Sequence, residues 1–397
     1  MSVLLEKPAE PQIQEDRRVT LTGKKILRRV AAAAIVLTGL LVISVASDPA
    51  SKDYISYWSA GRLLLHHADP YSASQVLALE KTQGYSEIKP IIMRNPPWAL
   101  FLVVPLGFVN PVVGLLLWTI AAAGCILIFI RLLNVSPEDR VFAFLFAPAL
   151  GAICSGQSSP FLLLGFSLFL RFYQSRPFLA GVSLLLMAIK PHLFLVFWML
   201  LLIDCIYHRR FFILAGGTCA LAAGTAFSMY LDVHIWQHYF AMLRASALDT
   251  EFFPTISMLF RLLIDSRAGW LLFVPSALAV GWGLVYYARH RHSWDWRIHG
   301  MLLMLVSVLV SPYGWFSDEI VLLPSLAFAF TFPEKRRYSM KMLVAINCLA
   351  LLILLIAHPS LSSYAYLWTP LAWTVWFLYT TDGFAKAEFA LNEGTVR

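Results

Sequence analysis

The residues best suited to chemistry are few and lie between long apolar runs. Asp53 opens the stretch Asp53-Tyr54-Ile55-Ser56-Tyr57-Trp58-Ser59-Ala60-Gly61-Arg62. A carboxylate there can take the proton of an attacking hydroxyl. The same residue is also well placed to cap the amphipathic turn that follows it. Lys190 stands in Lys190-Pro191-His192, between two apolar segments. A lysine at a membrane joint is costly unless paired, which makes it a functional candidate. Its ammonium suits a phosphate as a point charge, or it can snorkel to the interface. Proline after it breaks the helix and frees backbone carbonyls.

Other candidates surround these two. Gln157, in Gly156-Gln157-Ser158-Ser159, can donate and accept towards a sugar or a phosphate, or can serve as an ordinary polar turn. Arg94, before Asn95-Pro96-Pro97, is a phosphate ligand or a surface charge. Asp318 and Glu319, after Trp315, offer second carboxylates for an acceptor, or loop solvation. His66, His67, His234 and His238 fall in outer loops. His234 and His238 have i, i+4 spacing, which zinc can use, but no further ligand has matching spacing, so no metal is expected. Phosphate-binding glycine loops, nucleophile elbows and zinc-protease motifs are absent.

The elements that must position these residues are membrane helices. The chain is 59% hydrophobic and only 14% charged, against about 25% charged for a soluble domain. Its apolar residues come in blocks near the roughly 20 residues that cross a 30 Å hydrocarbon core. Backbone hydrogen bonding makes such segments helical. The expected fold is therefore all-α, a polytopic bundle of about twelve spans. The net charge of +8 does not point to nucleic acid, because the basic residues sit in short clusters between apolar runs, the positive-inside pattern. The cysteines are scattered and form neither a metal set nor a disulfide framework.

Charge sets the topology. Residues 1–23 read as a disordered cytoplasmic tail, 24–384 as the membrane domain and 385–397 as a second cytoplasmic tail. Lys24, Lys25, Arg28 and Arg29 place the N-terminus inside, before a span at 26–47. An outer loop follows at 48–95, then a short re-entrant or interfacial stretch from Pro96 and a span at 112–133. Four short apolar pieces follow at 141–155, 160–170, 178–189 and 191–206. The chain continues through 211–231, a second outer loop at 232–268, and spans at 269–288, 298–314, 320–332, 341–357 and 364–380. The piece 178–189 covers only about 18 Å at 1.5 Å per residue. Its joints at Gln157 and Lys190 must then lie below the outer membrane surface. Broken backbone at that depth must be buried in protein or line a polar cavity. An outward cavity roofed by both loops is expected.

In order and spacing these motifs resemble glycosyltransferase family 87, membrane mannosyltransferases of the GT-C fold. The likeness rests on Asp53-Tyr54 with Tyr57-Trp58, Ala60-Gly61 and Asp69-Pro70-Tyr71; on Asn95-Pro96-Pro97 with Val104-Pro105-Leu106; on Gly156-Gln157, Ala180-Gly181 and Ile189-Lys190-Pro191; and on Ser311-Pro312, Trp315 and Leu322-Leu323-Pro324. The resemblance implies an inverting transfer of a mannose-like sugar from a polyprenyl-phosphate donor to a lipid or glycan acceptor. Asp53 would be the base. Lys190, Gln157, His192 and Arg94 would lie near donor phosphate and sugar. Tyr57, Trp315, Asp318 and Glu319 would be acceptor or secondary residues. The implied partners are the lipid-linked donor, the acceptor and the bilayer, without nucleic acid or cofactor. The implied location is a bacterial inner membrane, with both termini cytoplasmic and the site periplasmic. The family often places a histidine shortly after its Ser-Pro…Trp motif, where this chain has Phe316-Ser317-Asp318-Glu319. His192 or Arg94 would stand in for it. The alternative is a secondary transporter or lipid flippase. That class usually shows paired broken helices in two related halves, whereas the expected short pieces cluster in 141–206.

Overall fold

The computed structural model describes residues 49–136, 140–246, 252–332, 336–356 and 362–382. The expected tails and the expected first span at 26–47 lie outside the described residues. Every regular element among the described residues is helical. Residues 49–95 hold α1 (Tyr54–Leu65) and α2 (Ala73–Thr82), and α3 (Pro111–Leu132) follows. Then come α4 (Arg140–Leu145), α5 (Ala147–Ser155), α6 (Ser159–Phe172), α7 (Pro177–Met187), α8 (Leu195–Tyr207) and α9 (Phe211–Leu231). The following segment carries α10 (Ile235–Ala245) and α11 (Ile256–Ile264). The chain closes with α12 (Val274–His290), α13 (His299–Leu309), α14 (Leu323–Ala329), α15 (Arg336–Ile356), α16 (Ser362–Ala365) and α17 (Thr369–Thr380).

Four helical stretches among the described residues are long and apolar enough to cross a membrane: Pro111–Leu132, Phe211–Leu231, Gly269–Ser293 and Tyr338–Ile356. The first shows why such a segment forms. Asn110 accepts the Val113 N–H at 2.9 Å as N-cap, and Pro111 takes the first helical position. A helix of 22 residues then spans about 33 Å, a full hydrocarbon core. The outer surfaces of these helices are apolar, with Phe212, Tyr230, Leu278, Val285, Leu352 and Leu355 exposed. That is the exterior of a membrane protein.

The helices between them are short. α7 has 11 residues and covers about 16 Å. It packs closely on α9 through small residues. A Cβ on Gly181 would fall 2.1 Å from the Ile213 carbonyl oxygen, and one on Gly216 would fall 2.1 Å from that of Phe178. Only glycine lets the two backbones meet so closely. The stretch after Pro96 forms two 3-10 turns, Pro97–Leu102 and Val104–Phe108, rather than a membrane-length helix.

Two expected spans come out differently. In place of 298–314, α13 ends at Leu309, ahead of Pro312 and Gly314, which interrupt the helix. In place of 320–332 there is a 3-10 stretch, Phe316–Leu322, followed by the seven-residue α14. The result is a third broken region, residues 310–322, packed against α5 and α6.

Candidate active site

Three interruptions in the helices converge, and each is held by side chains from elsewhere. At the first, α5 ends on Gly156 in the left-handed region, with φ at 70°. The Gln157 N–H bonds the Ala152 carbonyl at 2.9 Å, and the Trp118 indole donates to the Gly156 carbonyl at 2.8 Å. A Cβ on Gly156 would fall 2.5 Å from the Tyr54 Cβ, so glycine is what lets the start of α1 lie against this turn. The Lys52 ammonium, buried, donates to the Cys154 carbonyl and fixes the same contact.

The second interruption runs from Ala188 to Phe194. Here the helix break frees carbonyls, and each finds a donor. Trp98 Nε1 donates to Ala188 at 2.8 Å, Asn95 Nδ2 to Ile189 at 2.9 Å, and Trp198 Nε1 to Pro191 at 3.0 Å. The Leu193 N–H bonds the Lys190 carbonyl at 3.2 Å. A buried carbonyl left without a donor costs about 1–3 kcal/mol. These bonds therefore allow a non-helical segment deep in the bundle. At the third interruption, Asp318 and Trp315 bond reciprocally: the Trp315 N–H donates to Asp318 Oδ2 at 3.0 Å, and the Asp318 N–H donates to the Trp315 carbonyl at 2.8 Å.

The side chains presented by these breaks form one relay. Gln157 Nε2 donates to Asp53 Oδ2 at 2.6 Å. Lys190 Nζ donates to Gln157 Oε1 at 3.0 Å and to Asp318 Oδ1 at 2.6 Å. The Tyr57 hydroxyl lies 3.1 Å from Gln157 Oε1 and 3.2 Å from Ser158 Oγ. Ser159 Oγ donates to Asp318 Oδ1. The orientation of the Gln157 amide follows from its neighbours: the carboxylate requires a donor and the ammonium an acceptor. Asp53 stands at the N-cap position of α1, yet its side chain makes no capping bond. The carboxylate is committed to Gln157, not to the helix. Burial raises the Asp53 carboxyl above its ordinary value, against the opposing pull of the Gln157 hydrogen bond and the Lys190 charge. A carboxylate with a raised pKa is a stronger base.

A cavity of about 280 Å³ opens onto this relay. Asp53, Tyr57, Arg94, Gln157, Lys190, His192 and Trp315 all line it. Asp318 does not line it and reaches it through Lys190 and Trp315. Glu319 faces elsewhere: its oxygens accept from the Thr369 hydroxyl at 2.6 Å and the Trp373 indole at 2.7 Å, on α17. Among the lining residues not singled out from the sequence are the polar Tyr85, Lys89, Asn95 and Tyr313. Tyr313 packs edge-on against His192, with ring centroids 4.8 Å apart. Asn95 was legible only as part of Asn95-Pro96-Pro97, since its partner carbonyl lies 94 positions away. The roof differs from expectation. Tyr85 and residues 89–95 cover the cavity, and the described residues of 232–268 contribute no lining residue. They reach it indirectly, through Phe253, whose ring lies 4.4 Å from that of Tyr313.

A helical bundle with an apolar exterior and a polar, carboxylate-bearing cavity among its broken helices has the build of a membrane enzyme. Residues 94–312 match the model of glycosyltransferase family 87, which is more than half of the chain. The protein belongs to glycosyltransferase family 87 and is a sugar-transferring enzyme. The matched stretch contains Gln157, Lys190 and His192, and hydrogen bonds attach Asp53 and Asp318 to it. No curated protein and no solved structure matches the chain.

Proposed function

We propose that this enzyme transfers a mannose-like sugar from a polyprenyl-phosphate donor to a hydroxyl of a lipid or glycan acceptor, with inversion. The observation that carries the reading is the Asp53–Gln157–Lys190 relay on the wall of one cavity. Asp53 Oδ1 has no hydrogen-bond partner among the described residues, and Asp53 lines the cavity. That oxygen takes the acceptor's proton as the acceptor oxygen attacks the anomeric carbon. The bond from that carbon to the phosphate oxygen breaks, and the phosphate leaves with the electron pair. A phosphate monoester is already a good leaving group, so no general acid is needed.

Lys190 has three N–H donors, of which Gln157 and Asp318 take two. The third is available to a phosphate oxygen, with Arg94 and Lys89 on the same cavity. Preformed donors stabilise developing charge most where water is excluded. The apolar groove between α7, α8 and α9, which includes Ala188 and Trp198, adjoins the Lys190 joint and suits the prenyl tail. In the full reading about twelve spans place both termini in the cytoplasm and the cavity on the periplasmic side of a bacterial inner membrane.

An Asp53→Asn variant tests this. Turnover of a polyprenyl-phosphate-mannose donor should fall by about 10²- to 10⁴-fold, the typical contribution of a general base. Donor binding should persist. Turnover within threefold of wild type would remove Asp53 from the chemistry.

A further inference from the structure

The motif Asp69-Pro70-Tyr71 takes no part in the relay, yet its Asp69 and Tyr71 line a second cavity of about 300 Å³. Across this cavity stand α10 and the residue after it, with His238, Ala241, Ala245 and Ser246. Pro90, Ile92 and Arg94 line both cavities, so residues 90–94 form their common wall. The two spaces are also joined by hydrogen bonds. Asp69 Oδ1 accepts the Tyr71 N–H at 2.8 Å, the Tyr71 hydroxyl donates to the Asn95 carbonyl at 2.8 Å, and Asn95 Nδ2 donates to Ile189, next to Lys190. The second cavity is thus held in fixed register with the base and the ammonium.

Its polar groups are set out for hydroxyls. His238 Nδ1 bonds Asp232 Oδ2 at 2.8 Å and lies 3.6 Å from Asp69 Oδ1. A carboxylate on Nδ1 fixes the tautomer and orientation of the ring and leaves Nε2 for a ligand. Nε2 has no hydrogen-bond partner among the described residues. The Asp69 and His238 side chains remain 23% and 33% exposed, enough to meet a solute. Acceptor oxygens beside an imidazole nitrogen, with the Tyr71 and Tyr239 rings packed 5.3 Å apart behind them, suit a polyhydroxylated, uncharged solute. Of the two carboxylates beside His238, Asp69 lines the cavity, and Arg94, shared with the first cavity, brings a guanidinium to its wall.

We infer that this second cavity is the acceptor subsite and that it takes the sugar head group of a glycan or glycolipid, gripped by Asp69 and His238. The inference rests on the transferase reading and deepens it by naming the acceptor class. The test uses the full chain in lipid nanodiscs and methyl α-D-mannopyranoside and methyl α-D-glucopyranoside as probes. Saturation-transfer NMR reports their binding. Wild type and the control His234→Ala should give a signal, reduced at least fivefold in Asp69→Asn and His238→Ala. Ala245→Trp, an exposed position that fills the cavity from the far wall without touching the dyad, should abolish it. Absence of glycoside binding in wild type, or binding indifferent to all three substitutions, overturns the subsite. Consumption of polyprenyl-phosphate-mannose by wild type is scored separately. If donor is consumed while binding ignores the substitutions, the subsite falls and the transferase reading stands. If binding depends on Asp69 and His238 while no donor is consumed, the glycan site stands and the donor reading falls.

Discussion

Removal of Lys190 tests the centre of the site most sharply. Lys190 and Asp318 are 5% and 1% exposed and lie 2.6 Å apart. Breaking a buried ion pair from one side costs about 3–5 kcal/mol, because the remaining charge is stranded out of water. Asp318 keeps two other donors, Ser159 Oγ and the Trp315 N–H, so Lys190→Met falls at the lower end, about 3 kcal/mol. Asp318→Asn strands the ammonium with Gln157 Oε1 as its remaining side-chain acceptor among the described residues and costs a similar amount, about 3 kcal/mol. The double variant carries neither charge. It should lose only about 1 kcal/mol, a coupling of several kcal/mol between the two positions. In a chain of this size 1 kcal/mol moves the thermal midpoint by about 2 °C. The double variant should therefore melt several degrees above both single variants in the same detergent. Its turnover should stay as low as theirs, since Gln157 has lost the ammonium that holds it. Additive losses of stability would refute the claim that these two charges exist for each other. Restored turnover would refute the positioning role of Lys190.

Two further outcomes follow from the loops and joints. Glu80 is fully buried in α2 and accepts the Ile91 N–H at 3.2 and 3.3 Å, which holds the segment roofing the cavity. Burial pushes its carboxyl up to about 7 from 4.5. Its stabilising contribution is complete below the unfolded value and is lost as pH rises through 7. Relative to Glu80→Gln, wild type should lose on the order of 1–2 kcal/mol between pH 5 and 8. A thermal-midpoint difference between the two proteins that stays flat over that range would count against it. Gly156→Ala should cost about 1–3 kcal/mol from its positive φ and the contact with Tyr54. It should depress turnover further still by moving Gln157. A fully active, equally stable Ala variant would show that the turn has room to spare.

Much of the bundle was legible because membrane segments announce themselves by length and apolarity. The stretch 211–231 was read with the bounds that α9 has, and 112–133 falls within a residue of α3. Short helices were legible for the same reason: they are bounded by Gly156-Gln157 and Lys190-Pro191, and neither pair continues a helix. The break at 310–322 was read only as a short joint at 315–319 between two full spans, because apolar residues run up to Pro312 and resume at Ile320, and hydropathy does not register a lost hydrogen-bond donor. Within the site, Asp53, Gln157 and Lys190 were found by residue type and depth. Their mutual contacts were not, because they lie 104 and 33 positions apart. Asp318 and Glu319 show the limit most plainly. They are adjacent and chemically alike, yet one turns to Lys190 and the other to Thr369 and Trp373. Nothing in the local sequence separates them; the packing of α17 does.

The side chains that seal the open carbonyls at Ala188 and Ile189 belong to Trp98 and Asn95, some ninety positions upstream. A ribosome releases the N-terminal side first. When Ala188 and Ile189 reach the bilayer, the donors for their carbonyls have already been made. For these two carbonyls the direction of synthesis matches the direction of dependence, whereas Pro191 and Lys190 await Trp198 and Asp318 from further along the chain.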